Sequence, residues 1–283
     1  MRGHVRSIEN ETSATDRLCK SNHAHIVQVL HHGWLLNEWA YSIDMELCDV
    51  TLENYIGGSN INGLVPWLQF GAKEKPQHVL NITDQIVNGL IHIHGHGQVH
   101  RDLHPSNSNL SCSLGLITVL FDRQTNVWKI SDFGFTSNGN PNALAPSEDS
   151  RGRPGYRAPE LVQDSNKKYN LKADIWSLGC IVFELFIGKK PFTDDIEIAS
   201  YTDFSNLYCH ITNKATDSFT YLKCFHTLLS REPAQRPSAY FLKSMLQDPL
   251  NFITSPKLQN ITPFLGNPIQ SQNICKLVKG LSR

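Results

Sequence analysis

The sequence predicts an α+β fold in which short strands precede a mainly helical region. Apolar and polar residues alternate from Ile26 to Leu36 and from Tyr41 to Cys48, as expected of two brief strands. After Pro76 the apolar residues recur every three or four positions, which is typical of one buried helix face. Hydrophobic residues make up 40% of the chain and charged residues 18%, a composition that excludes an intrinsically disordered protein.

Each predicted helix has a recognisable beginning or end. The first begins at Pro76, which suits a first helical turn, and ends before Gly95 and Gly97. The second ends at Gly188, with Pro191 just beyond, and its apolar positions indicate a place in the core. A third helix is predicted from Ala239 to Leu246. The intervening stretches Gly57–Lys75 and Ser137–Asp149 are rich in Gly, Asn, Ser and Pro and are predicted to be loops.

The charge and cysteine content limit the partners and the compartment. Lys and Arg number 26, as do Asp and Glu, so no net field attracts nucleic acid or an anionic membrane. No apolar stretch approaches the roughly 20 residues that span a bilayer. The seven cysteines are an odd number without a C-x-x-C pair, which favours free thiols in a reducing compartment. We therefore expect an intracellular protein, cytoplasmic or nuclear, that binds neither nucleic acid nor membrane.

Five segments carry the chemistry, and they occur in a fixed order. His100-Arg101-Asp102-Leu103-His104-Pro105-Ser106-Asn107 follows the first long helix, and Asp132-Phe133-Gly134 follows a short strand-like run. Further along are Gly152 to Glu160, Asp174 to Gly179 and Arg236-Pro237. In this order they resemble the catalytic loop, the metal-binding turn, the end of the activation segment, the central helix and the late arginine of eukaryotic protein kinases of the Ser/Thr type.

The resemblance implies a bilobal protein-kinase-like fold with a reduced, β-rich N-lobe and a mainly helical C-lobe. The N-lobe would occupy residues 1–64 and the C-lobe residues 65–248, followed by a C-terminal tail at 249–283. Its activity would be transfer of the γ-phosphate of ATP to Ser or Thr of a protein substrate, with ATP and Mg²⁺ as cofactors.

The resemblance also implies a role for each motif residue. Asp102 would accept or orient the proton of the substrate hydroxyl, while Asn107 and Asp132 would hold Mg²⁺, since hard cations prefer oxygen ligands. His104 would be a further catalytic residue, at a position where Ser/Thr kinases usually have lysine. Five histidines near this loop, at positions 92, 94, 96, 100 and 104, are spaced so that they do not converge on one metal ion, and no zinc site is predicted.

Nucleotide binding is assigned by resemblance to the segment Ile43 to Asp49. Met45 would be the gatekeeper beside the adenine pocket, and the hinge residues Glu46, Cys48 and Asp49 would bind the adenine. Glu11 would be the glutamate of the N-lobe helix.

Four further residues would have structural or regulatory roles. Arg101 would respond to an ordered, phosphorylated activation segment, with Thr136, Ser137, Ser147 and Ser150 as candidate acceptors. Glu160 and Arg236 would form a buried ion pair, and Asp174 would brace the catalytic loop from the core helix.

The sequence also departs from the family pattern. Among residues 1–10, before Glu11, there is no lysine, and Gly3 is the sole glycine, so a glycine-rich loop and strand lysine are missing from this stretch. This favours an alternative, a pseudokinase that acts as a binding or scaffold module. A second alternative is the kinase part of a stress-sensor kinase fused to an endoribonuclease. The segment Met45 to Tyr55 resembles proteins of that kind, as does the long stretch before Asp132. The apolar run Leu114 to Phe121 within that stretch is left open as an insertion, a gene-model artefact or a buried strand.

Overall fold

The chain forms a helix and several small antiparallel sheets, followed by a mainly helical region. The computed structural model describes residues 2–35, 40–58, 71, 74–105, 118–139, 145–146, 152–162, 168–204, 207 and 225–247. Its elements in chain order are α1 (Arg2–Leu18), β1 (Val29–Trp34), β2 (Tyr41–Met45), β3 (Val50–Thr51), α2 (Leu52–Ile56), α3 (Lys75–Gly95), β4 (Gln98–Val99), β5 (Val119–Asp122), β6 (Val127–Ile130), β7 (Ser137–Asn138), β8 (Ala145–Pro146), α4 (Pro159–Val162), β9 (Lys168–Tyr169), α5 (Lys172–Ile187), α6 (Asp195–Ser200), two 3₁₀ turns (His226–Leu229 and Pro233–Gln235) and α7 (Ala239–Gln247). The predicted α+β class is confirmed.

The two predicted N-terminal strands form an antiparallel pair. In this pair Trp34 lies opposite Tyr41 and Val29 lies opposite Met45. A three-stranded antiparallel sheet follows, in the order β3-β5-β6. Strand β5 includes the end of the apolar run that the sequence left open, so residues 119–121 of that run are strand. Residues 106–117 lie outside the described residues.

The segment between α1 and β1 is attached to β6. The N–H of Ile130 donates to the His25 carbonyl oxygen, and the N–H of Val27 donates to the Ile130 carbonyl oxygen, both at 2.9 Å. Helix α3 packs closely on the same place, because a Cβ added to Gly89 would lie 2.8 Å from Ile130 Cδ1 and 2.9 Å from the His25 oxygen. The strand that leads into Asp132 is therefore held from two sides.

Helix α5 lies in the core. Every residue from Ala173 to Phe186 is buried, as expected of a helix that is apolar all round. The indole of Trp176 stacks on Phe192 with ring centroids 5.6 Å apart. The helix ends at Gly188, whose φ of +79° is the left-handed conformation that glycine adopts without strain.

The predicted long helix begins one residue before Pro76 and extends to Gly95. Its apolar face is fully buried, with Ile82, Ile86, Leu90 and Ile93 at most 1% exposed. Contacts divide the chain after Ala239, and the described part of the second unit, Tyr240–Arg283, is the remainder of α7. The third predicted helix, Ala239 to Leu246, agrees with α7 to within one residue.

Candidate active site

The loop from His100 to Pro105 is held in an irregular conformation between α3 and the β5 strand. After α3 the chain reverses at Gly97, whose φ is +66°, and passes through the short strand β4. Arg101 also has a positive φ, +71°, which is uncommon outside glycine. Such a conformation persists where the surroundings over-determine it, and these surroundings include the α5 helix.

Asp174, at the N-terminal end of α5, fixes the backbone of this loop. Its two carboxylate oxygens accept the N–H groups of His100 and Arg101, each at 2.9 Å, and Oδ2 also accepts from His94 Nε2 at 2.9 Å. Burial opposes the ionised form, but the hydrogen bond from His94 and the Arg101 N–H leave the pKa of Asp174 below its usual value. The carboxylate is thus a fully buried anion with three donors.

Asp102 and His104 face one another in this loop. The distance from His104 Nε2 to Asp102 Oδ1 is 3.7 Å, and both side chains are buried. Thr118, just before β5, fixes His104 because its Oγ1 accepts the His104 N–H at 2.8 Å and donates to the His104 carbonyl oxygen at 2.5 Å. Among the described residues neither Asp102 Oδ1 nor His104 Nδ1 has a hydrogen-bond partner.

Asp132 lies at the end of β6 in a buried turn. Its φ is +65°, its Oδ1 accepts the Gly134 N–H at 3.2 Å, and Phe133 packs edge-on against His100 with centroids 5.7 Å apart. Within the described part of the chain Asp132 Oδ2 has no partner. Burial, then the negative charge of Asp102 and, less strongly, that of Glu11, raise the pKa of Asp132 to about 8.

Glu11 of α1 lies beside this turn. A Cβ built on Gly134 would lie 3.5 Å from Glu11 Oε2, so the glutamate is next to the residues that the sequence assigned to metal binding. Burial raises the pKa of Glu11. The Glu11 carboxylate therefore lies beside the candidate active site.

These carboxylates suit a divalent cation. Asp102 and Asp132 each have one buried oxygen without a partner, although unsatisfied buried polar atoms are uncommon in folded proteins. Oxygen donors with concentrated negative charge are what Mg²⁺ prefers, and a cation would offset both the burial and the repulsion from Asp102 that raise the pKa of Asp132. Asn107, the other predicted ligand, lies outside the described residues. No group of three or more His, Cys, Asp or Glu suited to a metal occurs in the described ranges, this site included.

The residues assigned to nucleotide binding lie at the end of β2 and directly after it. Met45 is 44% exposed and its sulfur lies 3.8 Å from Ser131 Oγ, which places the predicted gatekeeper beside the residue before Asp132. The Glu46 N–H donates to the Gln28 carbonyl oxygen, and the Asp49 N–H donates to the Phe121 carbonyl oxygen. Cys48 is half-buried, and burial raises the pKa of its thiol to about 11, so the thiol is protonated at neutral pH.

Lys129 of β6 connects this hinge segment to the sheet, which the sequence did not indicate. Its Nζ lies 2.6 Å from Glu46 Oε2 and 2.8 Å from Asp122 Oδ2, and the lysine side chain is only 7% exposed. The second Glu46 oxygen accepts the Gln28 N–H at 2.7 Å. The Glu46 side chain therefore faces the sheet, and a buried lysine bridges two carboxylates there.

Glu160 and Arg236 form a two-pronged ion pair. Both guanidinium Nη atoms lie 2.7 Å from the two carboxylate oxygens, and the arginine side chain is fully buried. Arg236 Nε donates to the Ser230 carbonyl oxygen at 2.8 Å. The pair connects α4, at the end of the predicted activation segment, to the turn before α7.

The guanidinium of Arg101 lies over the ring of Tyr169, 4.2 Å from its centroid. Of the candidate phosphate acceptors, Thr136 is buried and Ser137 is half-buried, while Ser147 and Ser150 lie outside the described residues. Tyr169 was not identified from the sequence, because a single tyrosine in a polar stretch carries no motif.

The histidines near the loop have separate surroundings. His94 donates to Asp174, and His100 Nε2 lies 3.0 Å from the Ser131 carbonyl oxygen. His92 instead stacks on His23 of the segment after α1, with centroids 4.5 Å apart, and contacts His96 at the same separation.

None of the helices in the described ranges is both long and apolar enough to cross a membrane.

Comparison with known proteins identifies the family. A serine/threonine-protein kinase of Saccharomyces cerevisiae is 32% identical over 190 residues, which is 67% of this chain and 11% of the relative. A mitogen-activated protein kinase kinase kinase of Dictyostelium discoideum is 28% identical over 253 residues, 86% of this chain and 24% of the relative. One from Arabidopsis thaliana is 28% identical over 241 residues, 83% of this chain and 34% of the relative. The chain thus spans a minor part of each relative.

The model of the protein kinase domain matches residues 3–250, which include the loop at Asp102, the turn at Asp132 and the Glu160–Arg236 pair. The match extends over most of the chain and agrees with the order of the five sequence segments. The chain therefore belongs to the protein kinase domain family.

Proposed function

We propose that the chain transfers the γ-phosphate of ATP to serine or threonine hydroxyls of a protein substrate. The observation that carries this proposal is the pair of buried carboxylates, Asp102 and Asp132, each with one oxygen that has no partner among the described residues. They are close enough for the charge of Asp102 to raise the pKa of Asp132. Family membership and the serine/threonine kinase names of the relatives support the same reaction.

Phosphoryl transfer requires an in-line hydroxyl, shielded phosphate charge and fixed geometry. Asp102 would accept or orient the hydroxyl proton through its free Oδ1, and the two bonds from the His100 and Arg101 N–H groups to Asp174 hold the adjacent backbone in position. Asp132, together with Asn107, would hold Mg²⁺, which when bound neutralises charge on the phosphates.

His104 would take the place beside the base that lysine has in most Ser/Thr kinases. Its Nε2 lies 3.7 Å from Asp102 Oδ1, which is beside the proposed base. Met45, Glu46, Cys48 and Asp49 would bind the adenine, mainly through backbone groups, because the Glu46 carboxylate is bound to Lys129.

Transfer of labelled γ-phosphate from ATP tests the base. A mitogen-activated protein kinase kinase is a suitable substrate, since the names of two relatives designate kinases of such kinases. Asp102→Asn should reduce the rate about 10²- to 10⁴-fold, the usual contribution of a general base, without lowering the melting temperature. Asp16→Asn, on an exposed carboxylate of α1, is the matched control. A purified Asp102→Asn protein with wild-type activity would exclude Asp102 as the base.

Calorimetric titration with ATP tests the metal site. Wild-type protein should bind ATP more tightly in the presence of Mg²⁺, and Asp132→Ala should abolish that increase because one oxygen ligand is lost. Unchanged Mg²⁺-dependent binding would assign the metal to other residues.

A scaffold role is the second candidate, favoured by the surroundings of Glu11. Burial raises the pKa of Glu11, and no lysine in the described ranges lowers it. A family member without the lysine that clamps the α- and β-phosphates could keep its fold and signal by docking. Nucleotide-independent folding together with no transfer by wild type would favour this role. The stress-sensor kinase and endoribonuclease alternative stays a prediction from the sequence.

A further inference from the structure

Tyr169 lies where the catalytic loop and the activation segment meet. We use activation segment for residues 132–160, of which 132–139, 145–146 and 152–160 are described. Tyr169 follows this segment in the chain, forms part of β9, and is 4% exposed. It has three kinds of contact, each with a different part of the candidate active site.

The first contact is with the catalytic loop. The guanidinium carbon of Arg101 lies 4.2 Å from the centre of the Tyr169 ring, and Arg101 is 8% exposed. The backbone of Arg101 is fixed by its N–H bond to Asp174 and by a φ of +71°. Cation–π contacts are strongest where both partners are desolvated, as here. The stack therefore restrains the side chain of Arg101, which the backbone bond to Asp174 does not.

The second contact is with the beginning of the activation segment. The hydroxyl of Tyr169 and Ser137 Oγ are 2.8 Å apart. Ser137 pairs with Val99 in the β4-β7 ladder, and the Gly139 N–H donates to the Gly97 carbonyl oxygen at 2.9 Å. The phenol thus connects directly to the strand that follows Asp132-Phe133-Gly134.

The third contact is with a later point of the same segment. In the antiparallel pair of β8 and β9, Tyr169 lies opposite Ala145 and Lys168 lies opposite Pro146. Tyr169 therefore contacts the segment on both sides of residues 140–144, and it contacts Arg101 as well.

We propose that Tyr169 is a positioning residue that joins Arg101 to the activation segment and orders both without a phosphate group on the segment. Where a segment is ordered by phosphorylation, a new arginine–phosphate pair provides the ordering contact. Here the guanidinium already lies on a buried aromatic ring, and the ring already binds the segment through Ser137. The catalytic consequence rests on the proposed kinase function, but the ordering does not.

Hydrogen–deuterium exchange on the full chain tests the ordering. After treatment with a protein phosphatase, verified by mass spectrometry, wild type should keep its protection in residues 133–139. Tyr169→Leu, which removes the aromatic face, should exchange about thirtyfold faster there, the factor that corresponds to loss of a desolvated cation–π contact. Tyr169→Phe, which keeps the ring and loses the bond to Ser137, should show a smaller acceleration.

Tyr201→Leu is the matched control. Tyr201 is 3% exposed and its hydroxyl donates to the Leu229 carbonyl oxygen at 2.9 Å, so its loss costs a similar buried ring and hydrogen bond far along the chain. It should lower the melting temperature without selectively exposing residues 133–139.

Equal exchange of residues 133–139 in the Tyr169→Leu and Tyr201→Leu proteins would overturn the proposal. Loss of protection in wild type on phosphatase treatment would also overturn it, and this measurement holds even if the leucine variant does not fold. A Tyr169→Phe protein as unprotected as the leucine variant would refute the role of the stack.

Phosphate transfer gives a separate readout. Phosphatase treatment should leave kcat of wild type unchanged, whereas Tyr169→Leu should lower kcat and leave KM for ATP unchanged because the residues assigned to adenine are not touched. Wild type that transfers no phosphate would refute the proposed function, while the exchange result would still decide the role of Tyr169.

Discussion

Removal of the Glu160 carboxylate should leave a cation buried without its counter-ion. Arg236 is fully buried on its side chain, whereas Glu160 is 14% exposed, and the two form two bonds of 2.7 Å. Arginine does not deprotonate in a protein, so Glu160→Ala cannot be relieved by loss of a proton. The energetic cost must appear as lost stability.

The magnitude follows from what remains around the guanidinium. Breaking one partner of a buried pair costs about 3–5 kcal/mol. In the variant Arg236 would still donate to carbonyl oxygens of Ser230, Lys172 and Arg231, at 2.8, 3.0 and 3.2 Å, so we expect the lower value. About 3 kcal/mol corresponds to a fall in melting temperature of about 6–12 °C for a protein of this size.

Differential scanning calorimetry and urea unfolding measure this change. Asp16→Ala is the control, because the Asp16–Lys20 pair is 3.1 Å long but its side chains are 49% and 74% exposed, and exposed pairs contribute about 0–1 kcal/mol. Glu160→Gln, which keeps an oxygen acceptor, should fall between the two. A Glu160→Ala protein no less stable than Asp16→Ala would refute the argument that the pair is an essential buried contact.

Three further perturbations are predicted. Burial, then the charges of His92, His25 and His96, lower the pKa of His23 to about 4. The unfolded state therefore binds the proton more tightly, and the free energy of unfolding should fall as the pH drops from about 6.5 to about 4. In urea unfolding, His23→Gln should flatten that part of the stability profile. Gly89→Ala should destabilise the protein by about 1–3 kcal/mol, because the added Cβ would overlap Ile130 and the His25 backbone. The loss is expected although alanine has the higher helix propensity. An unchanged melting temperature would show that α3 can shift. Lys129→Met should lower the free energy of unfolding by several kcal/mol, because Glu46 and Asp122 lose their shared cation. Adding Glu46→Gln should restore part of the lost stability. A double variant as unstable as the single one would contradict the role of Lys129 as that cation.

The loop at Asp102 and the turn at Asp132 could be singled out from the sequence because their signals are local and ordered. A helix that ends at glycine, a short run of fixed residue types and a second short run after a strand each specify a conformation over a few residues. The positive φ values of Arg101 and Asp132 lie in those runs. The place of Glu11 could be predicted only through the family register, since the sequence around it has no motif of its own.

Contacts between distant segments could not be predicted in this way. In β6 the alternation of Trp128 and Ile130 with Lys129 indicates an outward-facing lysine, but Trp128, Lys129 and Ile130 are all buried. Both faces of β6 are therefore covered, and Lys129 is paired with carboxylates from two other segments. Tyr169 likewise acquires its role from Arg101 and Ser137, which lie 68 and 32 positions away in the chain.

Asp174 has consequences for how variants at that position should be interpreted in a cell. Asparagine would present an amide NH₂ to one of the three donors, glutamate is too long for a fully buried site, and alanine leaves all three donors unsatisfied. A protein that loses a few kcal/mol of stability is unfolded more of the time, and cellular proteases remove the unfolded fraction, so its abundance falls. A loss-of-function substitution at Asp174 should therefore first be read as a shortage of protein, measured by immunoblot, before any defect in chemistry is inferred.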